Sequence, residues 1–117
     1  MPDFMIAAGG AFSTAPDLLA LLNGVYGGAV LTPASLAALN RVYVPAEDYG
    51  YGSRMHTRTL GGHPVPIAWH TGTNGAYKSL AARVLADGWT VIVLNNTSAD
   101  LGAMGGLAED ILRAVHP

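Results

Sequence analysis

Residues 65–95 read VPIAWHTGTNGAYKSLAARVLADGWTVIVLN, and this stretch decides the fold. Val65 to Thr71 is an apolar run that reads as a strand, with Pro64 and Pro66 restricting its start to a sheet edge or a bulged entry. Ala76 to Ala86 reads as the next strand, and Asp87-Gly88 is a two-residue hairpin signal. Trp89 to Asn95 follows as a strand apolar enough to be buried on both faces. Working outward, Tyr49 to Thr59 mixes glycine, aromatic and β-branched residues without a helical stripe. It reads as a further strand, with Gly61-Gly62 turning the chain towards Val65.

Helices flank these strands. Residues 13–28 read as a helix, with Thr14 at the N-cap, Pro16 and Asp17 in the first turn, and an apolar face of Leu18, Leu21, Leu22 and Val25. Gly27-Gly28 ends it. A shorter helix starts at Thr32-Pro33, places Leu36 and Leu39 on one side and stops before Pro45. The last segment, from about Ser98 to His116, reads as a helix whose stripe is Leu107, Ile111, Leu112 and Val115. Gly102, Gly105 and Gly106 weaken its first half by about 1 kcal/mol each relative to Ala. The expected fold class is therefore α+β in a single domain over 1–117. A helical segment over 1–44 is followed by an antiparallel sheet of about four strands plus a C-terminal helix over 45–117.

Composition narrows the function classes. Of the 117 residues, 50% are hydrophobic and 12% charged, which is globular and far from the disordered class. A net charge of −2 and six scattered Lys and Arg residues argue against a nucleic-acid partner. The chain has no cysteine, so disulfides, thiolate catalysis and cysteine-ligated zinc are excluded. No apolar run reaches the roughly 18 residues of a membrane span. Met1 to Phe12 has no basic n-region and does not read as a signal peptide. Compartment stays open. The mean hydropathy of +0.31 is high for so small a chain, and suggests either a dense core or apolar surface that something else covers.

The chemistry concentrates in Ile67-Ala-Trp-His-Thr-Gly-Thr-Asn-Gly75. A strand delivers a histidine, a hydroxyl and a glycine in succession. His70 can face a carboxylate or assist proton transfer. The Thr71 hydroxyl can hydrogen-bond the same group. Gly72 lets a ligand lie close to the backbone. The N–H of Thr73 is then free to face a developing oxyanion.

This segment resembles the third signature of the serine β-lactamases, DD-peptidases and related esterases, commonly Lys-Thr-Gly, with His-Thr-Gly as a variant. Residues 8–19 (AGGAFSTAPDLL) look like the helix start after that family's second motif, and residues 49–52 (YGYG) like its Tyr-Gly-x-Gly strand. Residues 70–96 look like its two final strands, and the closing helix fits. The similarity runs in family order over nearly the whole chain. It implies that His70 contacts the substrate carboxylate or supports proton transfer, that Thr71 and Gly72 hold substrate, and that the Thr73 N–H is half of an oxyanion hole. The reaction implied is acyl transfer to serine, then hydrolysis of an amide, β-lactam or ester, without cofactor or metal. His at position 70 tilts the reading towards a peptidase or esterase. Relatives of this kind are often periplasmic or secreted.

Two signatures of that family are absent. Lys78 is the only lysine and residue 75, three before it, is glycine, so there is no Ser-x-x-Lys nucleophile motif. No tyrosine is followed two residues later by asparagine. Both motifs lie upstream of the Ala8-Gly9-Gly10 region in the family. The chain is therefore expected to be a C-terminal part, inactive alone, with one sheet edge and one helix-covering face bare. Self-association or pairing with a separate N-terminal half would cover them. A non-catalytic module that binds a peptide or small acid, and a purely structural chain, are the alternatives.

Other residues have plainer readings. His56, His63 and His70 recur every seven residues, but on a strand that step changes face, and no ligand-spaced carboxylate or cysteine accompanies them, so no metal is expected. Glu47-Asp48 reads as a solvated loop, Asp17 as a helix-start charge, and Glu109 and Asp110 as the solvated side of the last helix. Ser13 reads as a cap; Ser35, Ser53, Ser79 and Ser98 carry no nucleophile signature. Trp69 and Trp89 read as core.

Overall fold

The structure, a computed structural model, describes residues 3–117. A 3₁₀ turn (Asp3–Met5) and a single helical turn α1 (Ile6–Gly9) lead into α2 (Ala15–Tyr26) and α3 (Pro33–Asn40). Strands β1 (Arg54–Leu60), β2 (His63–Asn74), β3 (Tyr77–Val84) and β4 (Thr90–Asn95) follow, and α4 (Leu101–Val115) closes the chain. The strands form one antiparallel sheet in sequential order, β1-β2-β3-β4. The fold is α+β, as the sequence pattern implies. No helix among the described residues is long and apolar enough to cross a membrane.

The caps explain where the helices begin. The Thr14 hydroxyl accepts from the Asp17 N–H at 3.3 Å, and the Thr32 hydroxyl from the Ser35 N–H at 3.2 Å, each followed by proline in the first turn. Ser13 is not the cap; its hydroxyl donates to the Thr14 carbonyl. The Asp100 carboxylate accepts from the Ala103 N–H at 2.9 Å, so α4 starts at Leu101 rather than near Ser98.

Strand periodicity sorts side chains onto two faces. Ile67, Trp69, Leu80, Ala82, Val84 and Val91 point to one side, where Met104, Ala108 and Leu112 of α4 bury against them. Each of these large side chains removed from water contributes about 1.5–3 kcal/mol, so this layer is the main source of stability. The α4 stripe is thus Leu101, Met104, Ala108 and Leu112; of the expected stripe Leu112 is buried and Val115 half-buried, while Leu107 and Ile111 are not part of it. Leu107 and Ile111 are exposed. Glu109 is not on the solvated side either: its carboxylate accepts from Arg58 Nε at 2.7 Å, tying α4 to β1.

The other face carries Ala68, His70, Ala81, Arg83 and Ile92, and α2 lies over its β4 side. Leu18, Leu22 and Val25 of α2 are half-buried, whereas Leu21 is exposed and Arg83 Nη1 bonds Asn23 Oδ1 at 2.8 Å. β4 is an edge strand with Leu94 exposed, so it is not buried on both faces.

Three turns depart from expectation. Residues 49–53 do not extend β1; Gly50 is wedged against the Leu39 and Arg41 carbonyls, where a Cβ would come within 2.9 Å. The β2–β3 turn is the tight one, with Gly75 at φ +57° as the first of two turn residues. Asp87-Gly88 instead sits in a four-residue loop, closed by Val84 N–H to the Trp89 carbonyl at 2.8 Å. That loop exposes Trp89, which leaves the core to Trp69.

Candidate functional site

β2 is longer than both its neighbours, and the offset defines the site. β1 ends opposite Trp69, so β2 has no ladder partner on the β1 side from His70 to Asn74. In a two-residue hairpin the flanking pair, here Asn74 and Tyr77, is hydrogen-bonded, and the pattern alternates from there. The N–H groups of Asn74, Gly72 and His70 therefore point to β3, and those of Thr73 and Thr71 to the unpaired edge. The prolines obey the same phase: Pro64 and Pro66 face Thr59 and Thr57, at positions where β1 needs no N–H.

His70 is exposed on the α2 face of β2. Its Nε2 lies 2.8 Å from the Tyr49 hydroxyl, and the two rings meet edge-on at 5.9 Å. Arg54 stacks over the Tyr49 ring at 5.3 Å, so a cation backs the phenol that holds the imidazole. Such a Tyr–His pair can donate to or accept from a ligand group while the tyrosine fixes the ring orientation.

Thr71 and Thr73 project from the opposite face to His70, so only a group lying along the strand edge meets both the imidazole and a threonine hydroxyl. Gly72 does not leave room for a ligand over the α2 face. A Cβ there would come 2.5 Å from Ser79 Oγ, so the serine across the ladder already occupies the space. The glycine is therefore matched to Ser79.

Beneath His70 lies a cavity of about 70 Å³ between α2 and the sheet, floored by Ala68 and Ala81 and walled by Leu22, Tyr26, Ser53 and Arg83. The Tyr26 hydroxyl is 3.2 Å from Ser53 Oγ, and Arg83 stacks on the Tyr26 ring at 5.7 Å. Ser53 is buried, which separates it from any nucleophile role at the open edge.

Of the remaining histidines, His56 serves the scaffold. His56 stacks on Trp69 with 7° between ring planes, and its Nδ1 is 2.8 Å from Arg58 Nη2, which makes that nitrogen the acceptor. Burial, then the Arg58 charge, pushes its pKa below the ordinary 6.5. His56 and His63 share the α4 face, because the turn at residues 61–62 resets the alternation, and only His70 lies opposite. No group of three His, Asp or Glu residues that could hold a metal occurs among the described residues.

Tyr49 and Arg83 were the residues sequence reasoning missed. Arg83 had a signal: it is a lone charge inside the apolar run Leu80–Val84, and the Gly75 turn sets it on the His70 face. Tyr49 lies in the YGYG run of residues 49–52, but its contact with His70 arises only because residues 49–53 leave the sheet. Comparison of the chain with family models, with curated proteins and with solved structures found no match.

Proposed function

We propose that this chain is the C-terminal, substrate-facing part of a serine hydrolase of the β-lactamase, DD-peptidase and esterase type. The observation that supports it is His70 standing at the start of an unpaired strand edge, with the Thr71 and Thr73 N–H groups directed outward along that edge. An acyl substrate lying on the edge would meet His70 at its carboxylate or leaving group and the Thr73 N–H at its carbonyl oxygen. With no Ser-x-x-Lys in the chain, the nucleophile and its base would come from elsewhere, and the chain alone is inactive.

A β-lactam and an activated ester, each incubated with the purified chain, provide the test by intact mass and chromogenic turnover. Neither adduct nor turnover is expected. An acyl adduct mapped to one serine would overturn the assignment of the chain as nucleophile-free.

A second reading, of a chain that works only when covered, is favoured by its surface. β4 is an apolar edge strand, and Phe4, Phe12 and Leu107 stand exposed. Self-association or a complementary N-terminal half would cover them. A monodisperse monomer by light scattering at high concentration would count against self-association.

A further inference from the structure

We propose that the cavity between α2 and the sheet binds a small carboxylate, with Arg83 as its anchor. This goes beyond the hydrolase reading, in which Arg83 has no part.

The charge balance of the interior carries the inference. Arg83 is only 8% exposed, and its guanidinium carries five N–H donors. No Asp or Glu among the described residues lies within ion-pair distance of it. The other arginines near carboxylates are paired with them: Arg54 with Glu47, Arg58 with Glu109, and Arg113 with Glu109 and Asp110. A buried charge ordinarily has an opposite charge beside it, because desolvation otherwise costs too much.

Its donors are also only partly used. Nη1 bonds Asn23 Oδ1 at 2.8 Å and Thr90 Oγ1 at 3.0 Å, while Nη2 and Nε donate to no protein acceptor among the described residues. The last turn of α2, which Arg83 meets at Asn23 and Tyr26, offers only the partial negative charge of a helix C-terminus.

The cavity suits an anion of few atoms. Alanines 68 and 81 keep its floor low, and their neighbours Tyr26 and Ser53 add hydroxyls. Those two hydroxyls bond each other, and Ser53 Oγ also lies 3.9 Å from Met55 Sδ. His70 lies diagonally across the ladder from Arg83, about 7–8 Å away between Cα atoms in such a pair, and lines the same cavity. A carboxylate on Arg83 would thus place the rest of a small acid towards His70.

The test is a two-dimensional NMR titration of the full chain with sodium acetate, with sodium chloride exchanged to hold ionic strength constant. Saturable shifts are expected at the Arg83 side-chain Nε–H and at the Ala68 and Ala81 amides, with affinity falling at least tenfold in Arg83→Gln. A linear response, or an equal one to chloride, would overturn the proposal using the wild-type chain alone, even if the variant failed to fold. Shifts confined to His70 and unchanged in Arg83→Gln would also overturn it, while leaving the hydrolase reading intact. An acyl adduct, which would overturn the nucleophile-free assignment, would leave the acetate result standing.

Discussion

His116 Nε2 lies 2.7 Å from Asp87 Oδ2, joining the residue after α4 to the β3–β4 loop. The other ring nitrogen is 2.8 Å from the Leu112 carbonyl, and the Trp89 ring meets the imidazole edge-on. The hydrogen bond to Asp87, then that to the Leu112 carbonyl, raises the His116 pKa above 6.5. Burial works against the Asp87 carboxylate, but the bonds from His116 and the Trp89 N–H outweigh it and lower its pKa below 3.8. The raised histidine stabilises the fold fully below its unfolded pKa, and that support fades as pH rises through its folded value. The depressed carboxylate contributes above its unfolded pKa and is lost as pH falls through its folded one. The contact is therefore strongest between about pH 4.5 and 6.5. His116→Gln should be less stable than wild type in that window and converge on it by about pH 9. Urea melts at several pH values check this, and a constant difference across the range would refute it.

The α4 stripe gives a sharper comparison. Leu112 is fully buried and Leu107 about half exposed, at 51%. Leu112→Ala should cost about 2–5 kcal/mol, and Leu107→Ala under about 1 kcal/mol. Chemical denaturation of the two variants side by side reads the difference directly.

Gly72 and Ser79 form a coupled pair. Gly72→Ala forces its methyl against Ser79 Oγ and should cost about 1–3 kcal/mol. Adding Ser79→Ala should return most of that loss. A double-mutant cycle with no coupling would show that the serine does not fill the glycine's space.

Of the α4 glycines, Gly106 has nothing near its absent Cβ, whereas Gly105 faces Trp69 Cζ2 at 3.4 Å and Gly102 faces the capping Asp100 carboxylate at 2.8 Å. Gly106→Ala should therefore stabilise by about 0.5–1 kcal/mol from helix propensity alone. Gly102→Ala should gain less, since it disturbs the cap. Thermal unfolding of the two variants separates them.

These contrasts mark what was legible in the sequence. Caps at Thr14 and Thr32, the turn at Gly61-Gly62, and the β2–β3–β4 run are local, and local chemistry specified them. The α4 face was legible in part: Leu112 lies on the expected stripe, but periodicity weighs Leu107 and Ile111 above Met104 and Ala108, which are the ones buried. The His70-Thr71-Gly72 run is legible from its neighbours in sequence. The tyrosine partner of His70 lies 21 residues away, across a loop whose path depends on Gly50 meeting the end of α3.

β2 overhangs its neighbours at both ends, but on opposite sides, and the two overhangs have different fates. Near its start the side away from β1 carries Pro64 and Pro66, nitrogens without hydrogens. Near its end the side away from β3 carries Thr71 and Thr73, whose amides remain whole. A passing extended chain would find the first margin mute and the second able to answer. Strand-on-strand recognition by β2 is thus confined to one short ledge beside His70.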